Sequence, residues 1–110
     1  MELPADPFLE RVRAIIEAHI NDSNFSVGQL CQEAGMSHSQ LHRKLSALTG
    51  QSATYFIRYL RLQYARKLLE DPALTVAAVA YDAGFSDPDY FSKVFRKAFG
   101  KTPSEFRGVT

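Results

Sequence analysis

Residues 84–103, which read GFSDPDYFSKVFRKAFGKTP, decide the fold of this chain. A glycine stands near each end of the segment, and both Gly84 and Gly100 are typical of turns and helix ends. Between them, Ser86-Asp87-Pro88-Asp89 has the form of a helix start capped by Ser86. The apolar residues that follow recur at helical spacing and are expected to form the buried face of the helix; they are Phe91, Val94, Phe95, Ala98 and Phe99. The stretch therefore predicts a turn followed by a capped amphipathic helix.

A second copy of this pattern lies upstream, so the chain contains an internal repeat. At an offset of 49 residues, Gly35 corresponds to Gly84 and Ser37 to Ser86. After one inserted residue the offset becomes 50, and Gly50 corresponds to Gly100. Apolar positions follow the same offsets: Val27 with Val76, Leu30 with Val79, Ala34 with Ala83, Leu41 with Phe91, and Leu45 with Phe95. Each copy predicts a short helix, a turn around glycine and a longer capped helix, which is a helix-turn-helix.

Capping residues and helix breakers predict the other helices. Asp6-Pro7 begins the first, and Ser26-Val27-Gly28-Gln29 and Ser37-His38-Ser39-Gln40 have the capping-box form. Asp71-Pro72 ends a long helix, and Thr102-Pro103-Ser104-Glu105 begins a short last one. Strand-type alternation is absent. We therefore expect an all-α fold of about seven helices, in which two helix-turn-helix subdomains are joined by a long connecting helix.

These signals also predict the domain boundaries. Residues 1–7 are expected to form a linker, residues 8–107 the domain, and residues 108–110 a tail. Within the domain, the first helix-turn-helix spans about 26–50, the connecting helix about 53–69 and the second helix-turn-helix about 75–100. The fifth helix is expected to follow Thr75 and to end at Gly84.

Composition excludes several classes of protein. No run approaches the ~20 apolar residues of a membrane helix, and no secretory leader opens the chain. The single cysteine, Cys31, excludes an internal disulfide framework, fits a reducing cytosol and is expected to pack in the core. We therefore expect a cytoplasmic domain that makes no membrane contact.

The net charge is only +1, but charge is unevenly distributed along the chain. Residues 1–36 carry a balance of −4, whereas residues 37–67 carry six basic side chains and no acid. Residues 68–87 return to −4, and residues 88–107 carry +3. Alternating blocks favour a polarised surface that attracts a phosphate backbone. Judged from the charge distribution alone, ordinary solvent-exposed helix faces are an equally good explanation for these alternating blocks.

The second helix of each copy has the character of a DNA-reading helix. In a helix-turn-helix, its apolar face anchors it and its polar face enters the major groove. Leu41, Leu45 and Leu48 provide the apolar face of the first copy. The candidate base contacts are Ser39, His42, Arg43, Asp89, Ser92 and Lys93. The candidate phosphate contacts are His38, Lys44, Arg96, Lys97 and Lys101, joined by the N-terminal amides of both helices.

Asp89 has two competing interpretations. Its carboxylate is able to accept a hydrogen bond from cytosine N4. It also stands at the third position of its helix, where it would complete the N-terminal cap, and this second role is favoured by the pattern alone.

The segment from Gly84 to Pro103 closely resembles the signature of the AraC/XylS family of transcription regulators. Leu41-His42-Arg43-Lys44-Leu45 and residues 56–62, which read FIRYLRL, resemble the first motif and connecting helix of that family. The resemblance extends over roughly residues 25–107. It implies operator binding, usually with activation of transcription.

The resemblance also implies which positions contact bases. In the first motif these are Ser39, His42 and Arg43; in the second they are Pro88, Asp89, Ser92 and Lys93. Two departures weaken this assignment, because Pro88 offers no side-chain hydrogen bond and Ser39 is smaller than the residue that often fills its place.

Most members attach this domain to a partner that receives a signal, and the first helix looks most like the output domain of a response regulator or hybrid sensor. If both recognition helices enter successive major grooves, they should lie about 34 Å apart.

Two other functions compete with DNA binding. His38 and His42, four residues apart, match the spacing of a zinc pair, but the catalytic glutamate and a third ligand are missing, so we expect no enzyme and no cofactor. The alternative is a helical protein-interaction module without operator binding, in which an acidic first helix (Glu10, Glu17 and Asp22) contacts a partner such as RNA polymerase or a sister domain. The acid-free stretch from Ser37 to Leu69 favours double-stranded DNA instead.

Overall fold

A computed structural model describes residues 2–108, which form seven helices and no strand. The helices are α1 (Pro7–Ala18), α2 (Val27–Ala34), α3 (His38–Thr49), α4 (Ala53–Leu68), α5 (Val76–Asp82), α6 (Pro88–Phe99) and α7 (Pro103–Arg107). The prediction of an all-α fold with about seven helices is confirmed. Within residues 2–108, no helix is both long and apolar enough to cross a membrane.

The chain divides into two compact units. The N-terminal unit comprises the described residues up to His19 together with Asn24–Leu60. The C-terminal unit comprises Ile20–Ser23 and the described residues from Arg61 onward. Each unit thus contains one of the two predicted helix-turn-helix segments, and α4 contributes its first part to one unit and its second part to the other.

Helices α1, α2 and α3 pack together in the N-terminal unit through apolar edges at helical spacing. Its buried side chains include Leu9, Val12, Ile16, Leu30, Cys31, Leu41, Leu45 and Phe56. Cys31 is a free thiol that is only 4% exposed, so the expectation that it packs in the core is confirmed.

The caps of α2 and α3 show how local sequence sets the helix starts. Ser37 accepts a hydrogen bond from the Gln40 amide while the Gln40 side chain accepts one from the Ser37 amide, which is the predicted capping box. Ser26 also caps its helix by accepting from the Gln29 amide. The reciprocal half of that second box does not form, because the Gln29 side chain donates to Glu33 instead. Capping by Ser26 alone still fixes the start of α2.

The C-terminal unit is built on a cluster of aromatic and aliphatic residues. Phe91 and Phe95 are fully buried, and Phe95 contacts Phe99 and Phe106 at ring-centroid distances of 4.6 and 5.6 Å. Arg66 of α4 lies over the same two outer rings. The remaining buried members are Leu62, Ala65, Leu69, Val79, Ala80, Ala83 and Phe85. This core holds α5 and α6 against each other and anchors α7 on α6.

The turn between α5 and α6 requires glycine. Gly84 has φ +88°, a left-handed conformation that other residues rarely adopt. A Cβ atom there would collide with the Ile20 carbonyl oxygen and lie 2.7 Å from Arg61 Nε. The prediction that Gly84 stops α5 is confirmed: the last helical residue is Asp82, Ala83 is the C-cap, and Gly84 follows with its amide donating to the Tyr81 carbonyl oxygen. Gly84 serves the close approach of the turn to its neighbours.

Candidate nucleic-acid interface

Helix α3 exposes the predicted contact residues of the first helix-turn-helix. Leu41 and Leu45 are completely buried, and Leu48 is half-buried, so one edge of the helix is anchored in the N-terminal unit. The side chains predicted to contact DNA are all exposed: His38, Ser39, His42, Arg43 and Lys44. At 100° per residue, Ser39 and Arg43 lie near the middle of the exposed side, whereas His42 and Lys44 flank it. The helix is therefore able to present a continuous polar face.

Lys44 has a neighbour that its sequence position does not reveal. Its Nζ atom lies 5.0 Å from the centroid of the Phe8 ring, near the start of α1. A lysine over an aromatic face gains a modest attraction at an exposed site, about 0.5–1 kcal/mol. The contact places the predicted phosphate-binding ammonium at the edge of α3 nearest to α1.

Helix α6 presents the second set of predicted contacts. Asp89, Lys93, Arg96 and Lys97 are exposed, while Phe91 and Phe95 anchor the opposite edge. Ser92 is half-buried and lies at the border of the exposed face, and Lys101 is exposed just beyond the helix. The prediction that Ala98 is buried is wrong: the residue is exposed, although at 100° per residue it lies on the same side of the helix as Phe91 and Phe95.

The start of α6 differs from the prediction at its cap. Asp87, and not Ser86, is the N-cap, and its Oδ1 atom accepts from the amides of Asp89 and Tyr90 at 2.9 and 3.4 Å. Pro88 occupies the first helical position, where its fixed φ and missing N–H are tolerated, and this shifts the cap to the residue before it. Asp89 consequently stands at the second helical position. Its amide donates to the capping Asp87 carboxylate, and its own side chain is not part of the cap.

This cap occupies the backbone amides that would otherwise bind a phosphate at the N-terminus of α6. Pro88 has no N–H, and the next two amides are already bonded to the Asp87 carboxylate. The prediction that N-terminal amides of both recognition helices grip phosphate therefore fails for α6. In α3, the capping box satisfies Ser37 and Gln40, and the first-turn amides of His38 and Ser39 have no acceptor inside the helix.

The basic residues of both helices are largely left unpaired by the protein. The ion pairs Arg13–Glu17 and His19–Glu33 include no residue of α3 or α6. Near the end of α6, a hydrogen bond from the Thr102 amide lowers the pKa of Glu105, with smaller contributions from Arg96 and Lys101. The side chains of Arg43, Lys93 and Lys97 remain available to an external anion.

Two exposed positions were missed by the sequence analysis. Gln40 and Ala47 lie on the exposed side of α3, next to Ser39 and Arg43. Gln40 already serves the capping box, whereas the Ala47 methyl group is of the kind that contacts thymine methyl groups. The helical spacing from Arg43 to Ala47 was the signal that could have identified it.

The zinc alternative finds no third ligand in the part of the chain that the structure describes. His38 and His42 are both exposed on α3, and no cluster of three or more His, Cys, Asp or Glu residues suited to a metal occurs within residues 2–108. His19 is stacked on Phe25 at 4.7 Å and contacts Glu33 at 2.9 Å.

Comparison with known proteins identifies relatives among bacterial regulators. The helix-turn-helix domain family matches residues 30–108. The chain is 34% identical over 102 residues to histidine kinase P4 of Formosa agariphila, covering 93% of this chain and 7% of that protein. It is 34% identical over 104 residues to the arabinose operon regulatory protein of Escherichia coli K12, covering 94% of this chain and 36% of that protein.

Solved structures share the same fold. The C-terminal domain of the two-component response regulator yesN from Fusobacterium nucleatum matches with a TM-score of 0.83 and 26% identity, covering 94% of this chain and all of that one. An AraC-type DNA-binding regulator from Chromobacterium violaceum matches with a TM-score of 0.85 and 30% identity, covering 92% and 89%. The DNA-binding domain of AdpA, solved with a target DNA, matches with a TM-score of 0.81 and 31% identity, covering 94% and 91%.

The lengths of these relatives differ from that of this chain. The chain spans 7% of the histidine kinase and 36% of the arabinose operon regulator, whereas it spans nearly all of the isolated DNA-binding domains.

Proposed function

Because this chain belongs to the AraC-type family of helix-turn-helix domains, we propose that it binds double-stranded operator DNA sequence-specifically and regulates transcription. One observation carries the proposal. Helices α3 and α6 are each anchored by one buried edge and expose polar and basic side chains on the other. A single solvated helix of this kind is common in proteins of many functions, but the repeat produces two of equal length, 12 residues each.

The proposed contacts divide by chemistry. Arg43 and Lys93 donate to guanine O6 and N7, while Ser39, His42, Asp89 and Ser92 complete the base-reading set. His38, Lys44, Arg96, Lys97 and Lys101 hold the phosphate backbone and set the register of the helices. Each recognition helix occupies its own major groove, and successive major grooves of B-DNA are about 34 Å apart. One copy of the chain then covers an asymmetric site of about two turns of DNA.

We assign the boundaries of the double helix-turn-helix domain to residues 8–107, with the first motif at about 26–50, the connecting helix at about 53–69 and the second motif at about 75–100. The domain acts as the output domain of a larger signal-responsive protein in the cytoplasm. Support comes from two relatives that carry a matching domain, a two-component response regulator and a histidine kinase.

RNA polymerase is the proposed protein partner, through the acidic side of α1. Glu10 is exposed and makes no ion pair among residues 2–108, whereas Glu17 is already paired with Arg13 at 3.2 Å. Glu10→Lys should lower activated transcription in vitro without changing operator affinity. An equal loss of operator binding would place Glu10 near DNA instead.

The experiment that tests DNA binding is selection of sites from random duplex DNA, followed by binding of the winning sequence across a salt series. Two conserved blocks one helical turn apart, with affinity falling steeply as salt rises, are expected. One conserved block would mean that only one helix reads bases. No enrichment and no salt-sensitive binding would replace the proposal with the protein-interaction module.

A further inference from the structure

We propose that Asp89 makes the second recognition helix selective for cytosine, by accepting a hydrogen bond from cytosine N4 and by repelling other bases. The inference rests on the proposed function and specifies the DNA sequence that α6 takes. It begins with the cap of the helix, because the cap decides whether the Asp89 carboxylate is free.

The structure relieves Asp89 of the capping role. Asp87 Oδ1 accepts from the amides of both Asp89 and Tyr90, and Pro88 has no amide that needs an acceptor. The first turn of α6 is therefore satisfied without the Asp89 side chain. An exposed carboxylate at this position still gains from the helix dipole, but it is not held by a hydrogen bond.

Asp89 is also not neutralised by its neighbour. Lys93 lies four residues further along α6, in the order that favours an ion pair on a helix. Yet neither Asp89 nor Lys93 takes part in an ion pair or side-chain hydrogen bond within residues 2–108. Both side chains are exposed on one face, so α6 carries an acceptor and a donor one helical turn apart.

A free carboxylate in a DNA groove is selective because most of its surroundings repel it. Phosphates are anionic, and the major-groove edges of guanine and thymine present acceptors at O6, N7 and O4. Cytosine N4 offers a donor without a neighbouring acceptor on the same base, whereas adenine N6 is flanked by N7. We therefore expect the Asp89 carboxylate to accept a hydrogen bond from cytosine N4 and to lower the affinity for DNA when any other base stands opposite it.

Lys93 supplies the complementary preference. Its ammonium has donors only, and guanine O6 and N7 are the matching acceptors. Asp89 and Lys93 are separated by one turn of α6, about 5 Å along the helix axis. The part of the operator beneath α6 should therefore contain a cytosine and a guanine separated by a similar distance.

The test compares site selection by the unaltered chain with selection by Asp89→Asn and Asp89→Ala. Asn reads adenine through N6 and N7, so Asp89→Asn should change one selected cytosine to adenine. Asp89→Ala should lose preference at that position, with discrimination falling about 5- to 150-fold. It should also bind the non-cytosine sequences at least as tightly as the unaltered chain, because the repelling charge is gone.

Asp82→Asn is the matched control, since Asp82 is an exposed acid of the same unit at the end of α5 and is absent from α6. It should leave base preference unchanged. Persistence of the cytosine preference in both Asp89 variants, or a selected site with no cytosine beneath α6, overturns the inference while leaving DNA binding intact. Failure of the unaltered chain to select any sequence would instead overturn the proposed function.

Discussion

Arg61 donates a hydrogen bond of 2.9 Å from Nη2 to the backbone carbonyl oxygen of Asp22, 39 residues away in sequence. Arg61 is half-buried, its Nε atom has no hydrogen-bond partner within the described residues, and desolvation lowers its pKa. The same guanidinium lies beside Gly84. Residues 20–23 thereby pack against the turn that precedes the second recognition helix.

Gly84→Ala is expected to destabilise the protein by about 2–5 kcal/mol. The left-handed conformation alone costs about 1–2 kcal/mol for a residue with a Cβ atom, and overpacking against the Ile20 carbonyl and Arg61 adds about 1–3 kcal/mol. Urea denaturation measures the change. Gly100→Ala is the control, because Gly100 has φ +79° but nothing within 4 Å of the added atom. Equal losses in both variants would show that the close approach has no energetic consequence.

Phe95→Ala should cost about 3–5 kcal/mol of unfolding free energy, because the ring is completely buried among other aromatic rings. Ala98→Ser on the same helix should change stability by less than about 0.5 kcal/mol, since Ala98 is exposed. Thermal or urea unfolding of both variants checks the phase of α6. A retained melting temperature in Phe95→Ala would mean that the helix is rotated from its assigned phase.

Arg43→Ala and Lys93→Ala should each cost about 1–3 kcal/mol of binding free energy at the preferred DNA site and relax sequence preference at one position. The reason is that each side chain is exposed, at a position that we propose faces the bases. Titration against a panel of single-base variants of the operator measures this. Uniform weakening on every sequence would reassign the residue to the phosphate-binding set.

Arg96→Ala and Lys97→Ala should weaken binding to all sequences alike. Each removes one cation from the end of α6, so the slope of log K against log salt should become less steep by about one. Affinity measured from low to physiological salt on specific and random duplexes provides the readout. A change in base preference in either variant would contradict its role as a phosphate contact.

The capping box of α7 predicts a pH dependence at acidic pH. The Thr102 amide donates to Glu105 at 2.9 Å and holds the pKa of that carboxyl below its ordinary value. A lowered folded-state pKa contributes stability that is present above the ordinary glutamate pKa of about 4.3 and is lost as pH falls through the folded value.

Glu105→Gln keeps an acceptor for Thr102 but does not titrate, as Gln40 shows at the start of α3. The variant should lack this part of the acid-induced loss of stability. Carboxyl NMR of the unaltered chain provides the direct measurement, and an ordinary pKa at Glu105 would exclude the effect.

Local sequence was sufficient to predict most helix boundaries. The capping boxes at Ser37 and Thr102 join residues only three apart, and Gly50 and Gly100 end α3 and α6 in the left-handed conformation. Because these interactions involve neighbours along the chain, residue type and spacing reveal them. The start of α6 was the exception to this success. Ser86 and Asp87 are both able to cap a helix, and Asp87 is the N-cap because Pro88 occupies the first helical position.

The sequence by itself determined the class of fold, the repeat, the family and the exposed faces that carry the proposed DNA contacts. Only the tertiary structure decided that Lys44 lies over Phe8 and that Gly84 must accommodate Ile20 and Arg61. The physical reason is range. Helix periodicity and caps act within about one turn, whereas these contacts depend on how distant segments pack, and identical residue types are compatible with several such arrangements.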